Sequence, residues 1–319
     1  MLRKLLIFGV TTLGLLAVAI AIAFAVQYRL DDHAIVLPRP RGPHPVGRTI
    51  VDWKDGRRNR EATVVVWYPA ADGARGQRCE YLPGMAQSAL PIPSKRLQEI
   101  GVSAIRDAPV APGLTMAVLI LLPGLGRVPA HYTTIAEDLA SYGYLVAGVT
   151  PTDTSRPNLN DRAAAQRLVQ SWADDASFAL ERLVVDERFS SHLHEKRAGI
   201  VGHSFGGNVA LHVIAKDPRF TRAANLDGSL FGDPISVTTK PRLILCAESI
   251  DDEWQGLCAS GAATCAAFPK ARHLDFSDAT VLPSRFPIPR SRLLLGDVDG
   301  PEFLHDVSDR LRRFFGSDD

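Results

Sequence analysis

The stretch that decides the fold of this chain is Gly202-His203-Ser204-Phe205-Gly206, which fits the pattern G-x-S-x-G. Residues 196–202 form a short apolar run typical of a strand, and residues 207–215 are typical of a helix. Between such elements the pattern predicts a sharp turn that holds the serine hydroxyl above the end of a sheet. The flanking glycines leave room for the turn, because side chains there would collide with the neighbouring strand or helix.

The composition is that of an ordinary globular protein. The chain has 319 residues, of which 46% are hydrophobic and 22% are charged, and its formal net charge is +1. This length is sufficient for one sizeable core. The near-neutral charge and the lack of a basic stripe argue against nucleic acid as a partner.

The first residues have a different character from the rest. Arg3 and Lys4 precede an uncharged apolar run at residues 5–26, which is long enough to cross a bilayer as a helix. We expect residues 1–29 to be a membrane anchor. A cleaved signal sequence is the alternative, because Ala23-Phe24-Ala25 fits a signal-peptidase site. Both interpretations export the remaining chain to the periplasm or the extracellular space, either anchored or secreted.

A Pro-containing linker is expected at residues 30–39, followed by one domain at residues 40–319. The region from about residue 70 to about residue 113 lacks clear periodicity, which predicts an irregular insertion. One helix is expected within it, near Ser94 to Ile105. From Met116 onward, strand-like and helix-like segments alternate. This alternation predicts an α/β fold with a mostly parallel sheet and helices on both faces.

The segments behind this prediction are as follows. The expected strands are Thr49–Trp53, Ala62–Tyr68, Met116–Leu122, Tyr144–Val149, Ala198–Val201, Ala223–Leu226, Arg242–Cys246 and one within Ala262–Ala271. The expected helices are Ala130–Tyr142, Asp161–Val185 and Glu302–Phe315, besides the one after Ser204. Active sites in such sheets form at the carboxyl ends of the strands, where Ser204 falls.

Export makes the four cysteines interpretable as disulfide candidates. Cys258 and Cys265 lie close together in a loop-like stretch and are the most plausible pair. Cys246 lies within an apolar run and is equally well interpreted as a buried free thiol. The spacing does not resemble a zinc site, so the sequence implies neither a metal nor another cofactor.

A serine hydroxyl is a weak nucleophile until a base removes its proton, and a carboxylate must orient that base. In this kind of sheet the chain order is serine, acid, histidine. Only His212, His273 and His305 follow Ser204. His212 lies on the helix after the turn and His305 within the closing helix. His273 follows a strand-like segment, where the base is expected, and is therefore the candidate.

Two positions fit the acid. Asp227 ends the strand Ala223–Asp227 at the active-site edge, and Asp251 follows the next strand, beside Asp252. The residue pattern alone leaves both open.

Backbone amides are the expected donors to the oxyanion that develops on the attacked carbonyl. Each such donor contributes roughly 2.7–4 kcal/mol to catalysis. One is the N–H of Phe205, directly after the nucleophile. The other is that of Leu125, in the glycine-containing loop Pro123–Gly126.

Several of these features together resemble a known family, the secreted-type platelet-activating factor acetylhydrolases and their bacterial relatives. The residues that carry the resemblance are Gly202–Gly207, Leu226-Asp227-Gly228, Arg272-His273, Gly42–Gly47, Val66–Pro69, Gly124–Gly126 and Asp138–Gly143. The resemblance covers residues of about 40–315 and implies an α/β-hydrolase fold.

The resemblance also implies roles for individual residues. It favours Asp227 over Asp251 as the acid, and it maps the base onto His273 and the oxyanion amides onto Leu125 and Phe205. Members of the family are metal-independent serine esterases, several of which cleave short or oxidised acyl chains from phospholipids. This chain departs from the family at Pro123, where a histidine is usual.

We therefore expect a serine ester hydrolase, similar to carboxylesterases and lipases, that acts through an acyl-enzyme on a small-molecule or lipid ester. An amidase, peptidase or acyltransferase using the same residues is the second interpretation. A catalytically inactive hydrolase fold that serves as a binding module is the third.

Overall fold

The structure is a computed structural model that describes residues 35–83, 100–282 and 294–316, without the side chains of residues 195–197. The expected anchor at residues 1–29 lies outside these ranges. Within them, no helix combines the length and the apolar character needed to span a bilayer.

A nine-stranded sheet forms the centre of the described part, with the order β3-β1-β2-β5-β4-β6-β7-β8-β9. The strands are β1 (Val46–Asp55), β2 (Arg60–Pro69), β3 (Ile105–Arg106), β4 (Met116–Leu122), β5 (Tyr144–Val149), β6 (Leu193–His203), β7 (Phe220–Leu226), β8 (Arg242–Ala247) and β9 (Thr264–Phe268). All neighbours from β5 to β9 are parallel, whereas β2 runs antiparallel to both β1 and β5. The mostly parallel sheet expected from the sequence is thus confirmed.

Helices cover both faces of this sheet. They are α1 (Thr133–Ser141), α2 (Arg162–Leu183), α3 (Phe205–Lys216), α4 (Asp252–Ala259) and α5 (Gly300–Gly316). α2 and α3 pack against each other, as do α1 and α5. On β4, Val118 and Ile120 join the core cluster that includes Leu168 of α2 and Val209 of α3. On the opposite face, Phe315 of α5 packs over Gly199 of β6.

Both faces of β4 are buried, which explains its uninterrupted run of apolar residues. Successive side chains of a strand point to opposite faces, so alternate residues of β4 contribute to two apolar layers. Burying each of these aliphatic side chains contributes roughly 1.5–3 kcal/mol to stability. The sheet is therefore a rigid support whose carboxyl edge carries the loops after β4, β6, β7 and β9.

The structure corrects the interpretation of the region before β4. The part of the predicted helix within the described ranges, residues 100–105, is not helical, and Ile105 begins β3, which pairs in parallel with β1. The backbone amides of Ser103 and Ala104 donate to the buried carboxylate of Glu137, at 3.0 and 2.8 Å, instead of forming helical hydrogen bonds. This long-range contact has no local sequence signal. Residues 94–99 lie outside the described ranges.

The end of the expected linker is part of the folded domain. Val36 forms a bridge with Gly101, and the Leu37 amide donates to the Gly101 carbonyl at 3.0 Å. Leu37 is also buried. Its side chain and backbone therefore contribute to the domain before residue 40.

The predicted disulfide is confirmed, and of the two alternatives for Cys246 the structure has the buried free thiol. Cys258 and Cys265 form a disulfide with Cα atoms 5.8 Å apart, which links α4 to β9. Cys246 is a buried free thiol, as is Cys79.

Gly202 allows α3 to approach the end of β6, and a substitution there tests this packing. A Cβ at Gly202 would collide with the backbone of Gly206 and Gly207. We expect Gly202→Ala to lower the free energy of unfolding by about 3 kcal/mol or more, because backbone atoms would have to move. Urea unfolding measures the effect.

Gly256 provides the matched control, because a Cβ at this position in α4 meets nothing within 4 Å. Gly256→Ala should increase stability by about 0.5–1 kcal/mol. Equal stabilities of the two variants would contradict the packing described for the turn.

Candidate active site

Ser204 lies in the turn between β6 and α3 and has a strained backbone. Its φ of 57° and ψ of −126° are uncommon for a residue with a side chain. The Ser204 amide donates to the Leu226 carbonyl at 2.9 Å, and the Ser204 carbonyl accepts from the amides of Gly207 and Asn208. These hydrogen bonds to β7 and α3 fix the turn, so the hydroxyl lies at the carboxyl edge of the sheet.

The structure brings three of the predicted site residues into hydrogen-bond contact. The Oγ atom of Ser204 lies 2.9 Å from Nε2 of His273. Nδ1 of the same ring lies 2.6 Å from Oδ2 of Asp227. Asp227 follows β7 with a φ of 51°, and His273 begins a 3-10 turn that ends at Phe276. Three separate loops therefore supply the contact chain.

Asp227 is held as an ionised carboxylate. Burial raises its pKa, but the hydrogen bonds from His273 and from the Ala247 amide outweigh burial and hold the pKa below its usual range. The Ala247 amide donates to Oδ1 at 2.7 Å. Because a carboxylate can only accept, Nδ1 of His273 carries the ring proton in the neutral imidazole. Nε2 is then the acceptor that faces the Ser204 hydroxyl.

The other candidates from the sequence do not join this chain. Asp251 caps α4 through its backbone and makes no side-chain capping hydrogen bond. Burial raises the pKa of Asp251, and repulsion by the charge of Asp227 raises it further. His212 and His305 each have a buried Nε2 atom without a hydrogen-bond partner in the described residues, and the imidazole hydrogen-bonded to Ser204 Oγ is that of His273.

The two predicted amide donors belong to the first turn of α3 and to the loop after β4. Phe205 is the first residue of α3, and the first amides of a helix have no partner within the helix. The loop after β4 forms a turn in which the Arg127 amide donates to the Gly124 carbonyl at 2.9 Å. Gly126 has a φ of 74° and occupies the third position of this turn, which favours glycine. The Leu125 amide as second donor stays a prediction.

This loop lies directly beside the nucleophile. A Cβ built on Gly124 would be 3.3 Å from the Cβ of Ser204. The described residues contain no group of three or more His, Cys, Asp or Glu residues arranged to hold a metal ion.

Comparisons with known proteins assign the chain to a family. The model described as Alpha/beta hydrolase family matches residues 111–318, which is more than half of the chain. The chain belongs to the alpha/beta hydrolase family. A second model, Platelet-activating factor acetylhydrolase, isoform II, matches residues 32–172 of this chain.

Individual relatives agree with both models. This chain is 25% identical to a platelet-activating factor acetylhydrolase of Cavia porcellus over 61% of its own length and 56% of the relative's. It is 27% identical to a probable 1-alkyl-2-acetylglycerophosphocholine esterase of Arthroderma benhamiae, over 37% of its own length and 33% of the relative's. The chain therefore spans about half or less of these relatives. The resemblance to platelet-activating factor acetylhydrolases noted from the sequence is confirmed.

A solved structure with the same architecture is the ferulic acid esterase from Streptomyces cinnamoneus. It superimposes with a TM-score of 0.75 at 25% sequence identity, covering 89% of this chain and 92% of the other. This similarity confirms the α/β-hydrolase fold predicted from the sequence.

His203, which precedes the nucleophile, is a site residue that the sequence reasoning missed. Its ring is buried, with Nε2 2.8 Å from the His273 carbonyl oxygen and Nδ1 2.9 Å from Oη of Tyr132. Burial and the neighbouring His273 lower the pKa of His203 to about 3. The ring is therefore neutral at physiological pH. Its position within the G-x-S-x-G stretch was the available signal. The sequence argument concerned the base, which is expected after Ser204, and therefore did not identify His203.

Asp278 is a second residue that the sequence did not single out. Its buried carboxyl group accepts from the amides of Thr133 and Thr134 at 2.8 and 3.0 Å, at the start of α1. Burial raises its pKa to about 7. Asp278 follows the turn that begins with His273, so these bonds attach the segment that contains His273 to α1.

Proposed function

We propose that this chain is a serine ester hydrolase in which Ser204 is the nucleophile, His273 the general base and Asp227 the orienting acid. The observation that carries the proposal is the contact chain from Ser204 Oγ to His273 Nε2, at 2.9 Å, and from His273 Nδ1 to Asp227 Oδ2, at 2.6 Å. Distances of this size are within the reach that proton transfer requires. The esterases among its relatives and structural neighbours support ester bonds as the target.

The proposed reaction has two halves. In the first, Ser204 Oγ attacks the ester carbonyl while Nε2 of His273 takes the hydroxyl proton. The amides of Phe205 and Leu125 donate to the resulting oxyanion. When the tetrahedral intermediate collapses, the imidazolium gives its proton to the leaving alkoxide, and the acyl group remains on Ser204.

In the second half, water replaces the alcohol. His273 removes a proton from the water as it attacks the acyl-enzyme, and then returns the proton to Ser204 Oγ as the acid leaves. Asp227 stays ionised throughout, holds His273 in the required tautomer and stabilises the imidazolium.

For the substrate, we propose esters with short acyl chains, including the short or oxidised acyl groups of phospholipids. Support comes from the names of the relatives, which are acetylhydrolases and a probable acetylglycerophosphocholine esterase. For location, we propose an exported catalytic domain, held by residues 5–26 or secreted. The disulfide between Cys258 and Cys265 supports an oxidising compartment.

A series of p-nitrophenyl esters, from acetyl to dodecanoyl, tests the proposal beside the matching p-nitroanilides. We expect kcat/KM to be highest for the short esters and the anilides to be inert. An sn-2 acetyl phospholipid then tests the lipid substrate. Comparable turnover of esters and anilides would instead favour an amidase. Absence of turnover of every ester by the folded protein would contradict the proposal and favour a binding module.

A further inference from the structure

A continuous chain of buried hydrogen bonds links the two loops that flank Ser204. The Gly124 amide donates to Oη of Tyr132 at 2.9 Å, and the same Oη lies 2.9 Å from Nδ1 of His203. Nε2 of His203 lies 2.8 Å from the carbonyl oxygen of His273. The side chains in the middle are almost inaccessible, since Tyr132 is 1% and His203 is 2% exposed.

The chemistry of the end groups fixes the position of each proton. A carbonyl oxygen only accepts, so Nε2 of His203 carries the ring proton and donates a hydrogen bond to the carbonyl oxygen of His273. In the neutral ring Nδ1 is then an acceptor, and the hydroxyl of Tyr132 donates to it. This leaves a lone pair of Oη for the Gly124 amide. All the polar groups of the chain are satisfied by one arrangement, with His203 neutral.

These hydrogen bonds connect segments of the site whose positions relative to one another matter for catalysis. Gly124 immediately precedes Leu125, the proposed oxyanion donor, and His273 is the proposed base. His203 is bonded covalently to Ser204. The His203 ring also packs against that of His273, with centroids 4.6 Å apart, and against Phe276 at 6.3 Å.

We propose that Tyr132 and His203 are positioning residues. They fix the loop at residues 123–126 and the backbone of His273 relative to Ser204. This inference rests on the proposed ester hydrolysis. Both linked segments are irregular: His273 lies in a 3-10 turn, and residues 123–126 form a glycine-containing turn. Neither belongs to a strand ladder. The contacts of Asp278 attach the segment of His273 to α1, whereas the hydrogen bonds through Tyr132 and His203 join the two segments to each other and to the residue before Ser204.

Tyr132→Phe tests the chain with the smallest change, because the aromatic ring is kept and only the hydroxyl is lost. We expect kcat for a short p-nitrophenyl ester to fall by about 10- to 100-fold with little change in KM, as a displacement of about 1 Å at a site can cost 10²-fold. Affinity for a trifluoromethyl ketone, which forms an oxyanion on attack, should fall in parallel.

Tyr68→Phe is the matched control. Tyr68 is also buried, and its hydroxyl donates to the Ala108 carbonyl at 2.7 Å, in a contact that does not involve the site. We expect a similar decrease of Tm in both variants but an unchanged kcat for Tyr68→Phe. Equal kcat values for Tyr132→Phe and the wild type would overturn the proposal.

Substitutions of His203 distinguish positioning from packing. Gln can place an amide N–H near the position of Nε2 and donate to His273, whereas Phe fills the space without any donor. We expect kcat to decrease in the order wild type, His203→Gln, His203→Phe. The reverse order of the variants, with both folded, would contradict a role for the hydrogen bond.

A measurement on the wild type removes the dependence on folded variants. In a protein labelled with ¹⁵N-histidine, we expect the His203 signals of a neutral ring protonated at Nε2, constant from about pH 5 to about pH 9, a range in which an ordinary histidine titrates. A His203 ring protonated at Nδ1 would contradict the hydrogen-bond arrangement on which the proposal rests and would overturn it. Absence of wild-type ester hydrolysis would instead refute the proposed function, so the two failures are distinguishable.

Discussion

Replacing Ser204 by alanine is expected to reduce ester hydrolysis about 10⁶-fold, which is the scale at which loss of a catalytic serine leaves only binding and oxyanion stabilisation. Removal of Oγ eliminates the atom that forms the acyl-enzyme, and neither His273 nor Asp227 can replace it. The measurement is kcat/KM for a p-nitrophenyl ester, with purified protein free of contaminating esterase.

The structure offers a matched control for Ser204→Ala. Ser229 is an exposed serine in the loop after Asp227, and Ser229→Ala should retain wild-type activity. Alanine keeps the strained backbone of the turn, so the Tm of Ser204→Ala should stay close to that of the wild type. Residual activity above about 1% of the wild type would contradict the assigned nucleophile.

The second large effect is expected for Asp227→Asn, a loss of about 10⁴-fold in kcat. The asparagine amide would present N–H donors to Nδ1 of His273 and favour the tautomer with the proton on Nε2. That tautomer cannot accept the Ser204 proton. The variant should fold, because the side-chain volume is unchanged and an amide oxygen can still accept from Ala247.

Asp251→Asn is the control, because Asp251 was the alternative acid and lies at the start of α4. We expect its kcat to remain within about threefold of the wild type, since no hydrogen bond joins it to His273. Similar, mild losses in both variants would contradict the assignment of Asp227.

The central part of the fold was predictable because its signals are local. The apolar run of β4 and the glycines around Ser204 each reflect packing within a few residues. Parallel strands covered on both faces need continuous apolar runs, and the turn before α3 needs small residues. These requirements can therefore be recognised as patterns in the sequence.

Which of the two candidate acids contacts His273 was not predictable from the residues alone. Asp227 and Asp251 both follow a strand, and Asp227 is distinguished by its contact with His273 at 2.6 Å. The φ of 51° at Asp227 and the Ala247 amide, which donates to its carboxylate, accompany this contact. Both depend on how neighbouring strands lie in the sheet. Only the resemblance to a family favoured Asp227 beforehand.

Buried polar contacts between distant residues were missed for a related reason. Tyr132 and His203 are 71 positions apart, and Glu137 reaches back 33 positions to Ala104. No local pattern predicts the distant partner of such a side chain, even at His203, whose position beside Ser204 is a signal. Their contacts follow from tertiary packing, which also explains why residues 100–105 are not helical and why Ile105 begins β3.

The claim on which the account depends is that the Ser204 hydroxyl is activated by His273. Labelling with a fluorophosphonate, followed by mass spectrometry of the digested protein, tests it most directly, because the reagent reacts with an activated serine. We predict one label per chain, on the peptide that contains Ser204, and none in Ser204→Ala or, at short times, in His273→Ala. An unlabelled wild-type protein that is folded, or a label on a different serine, would contradict the account.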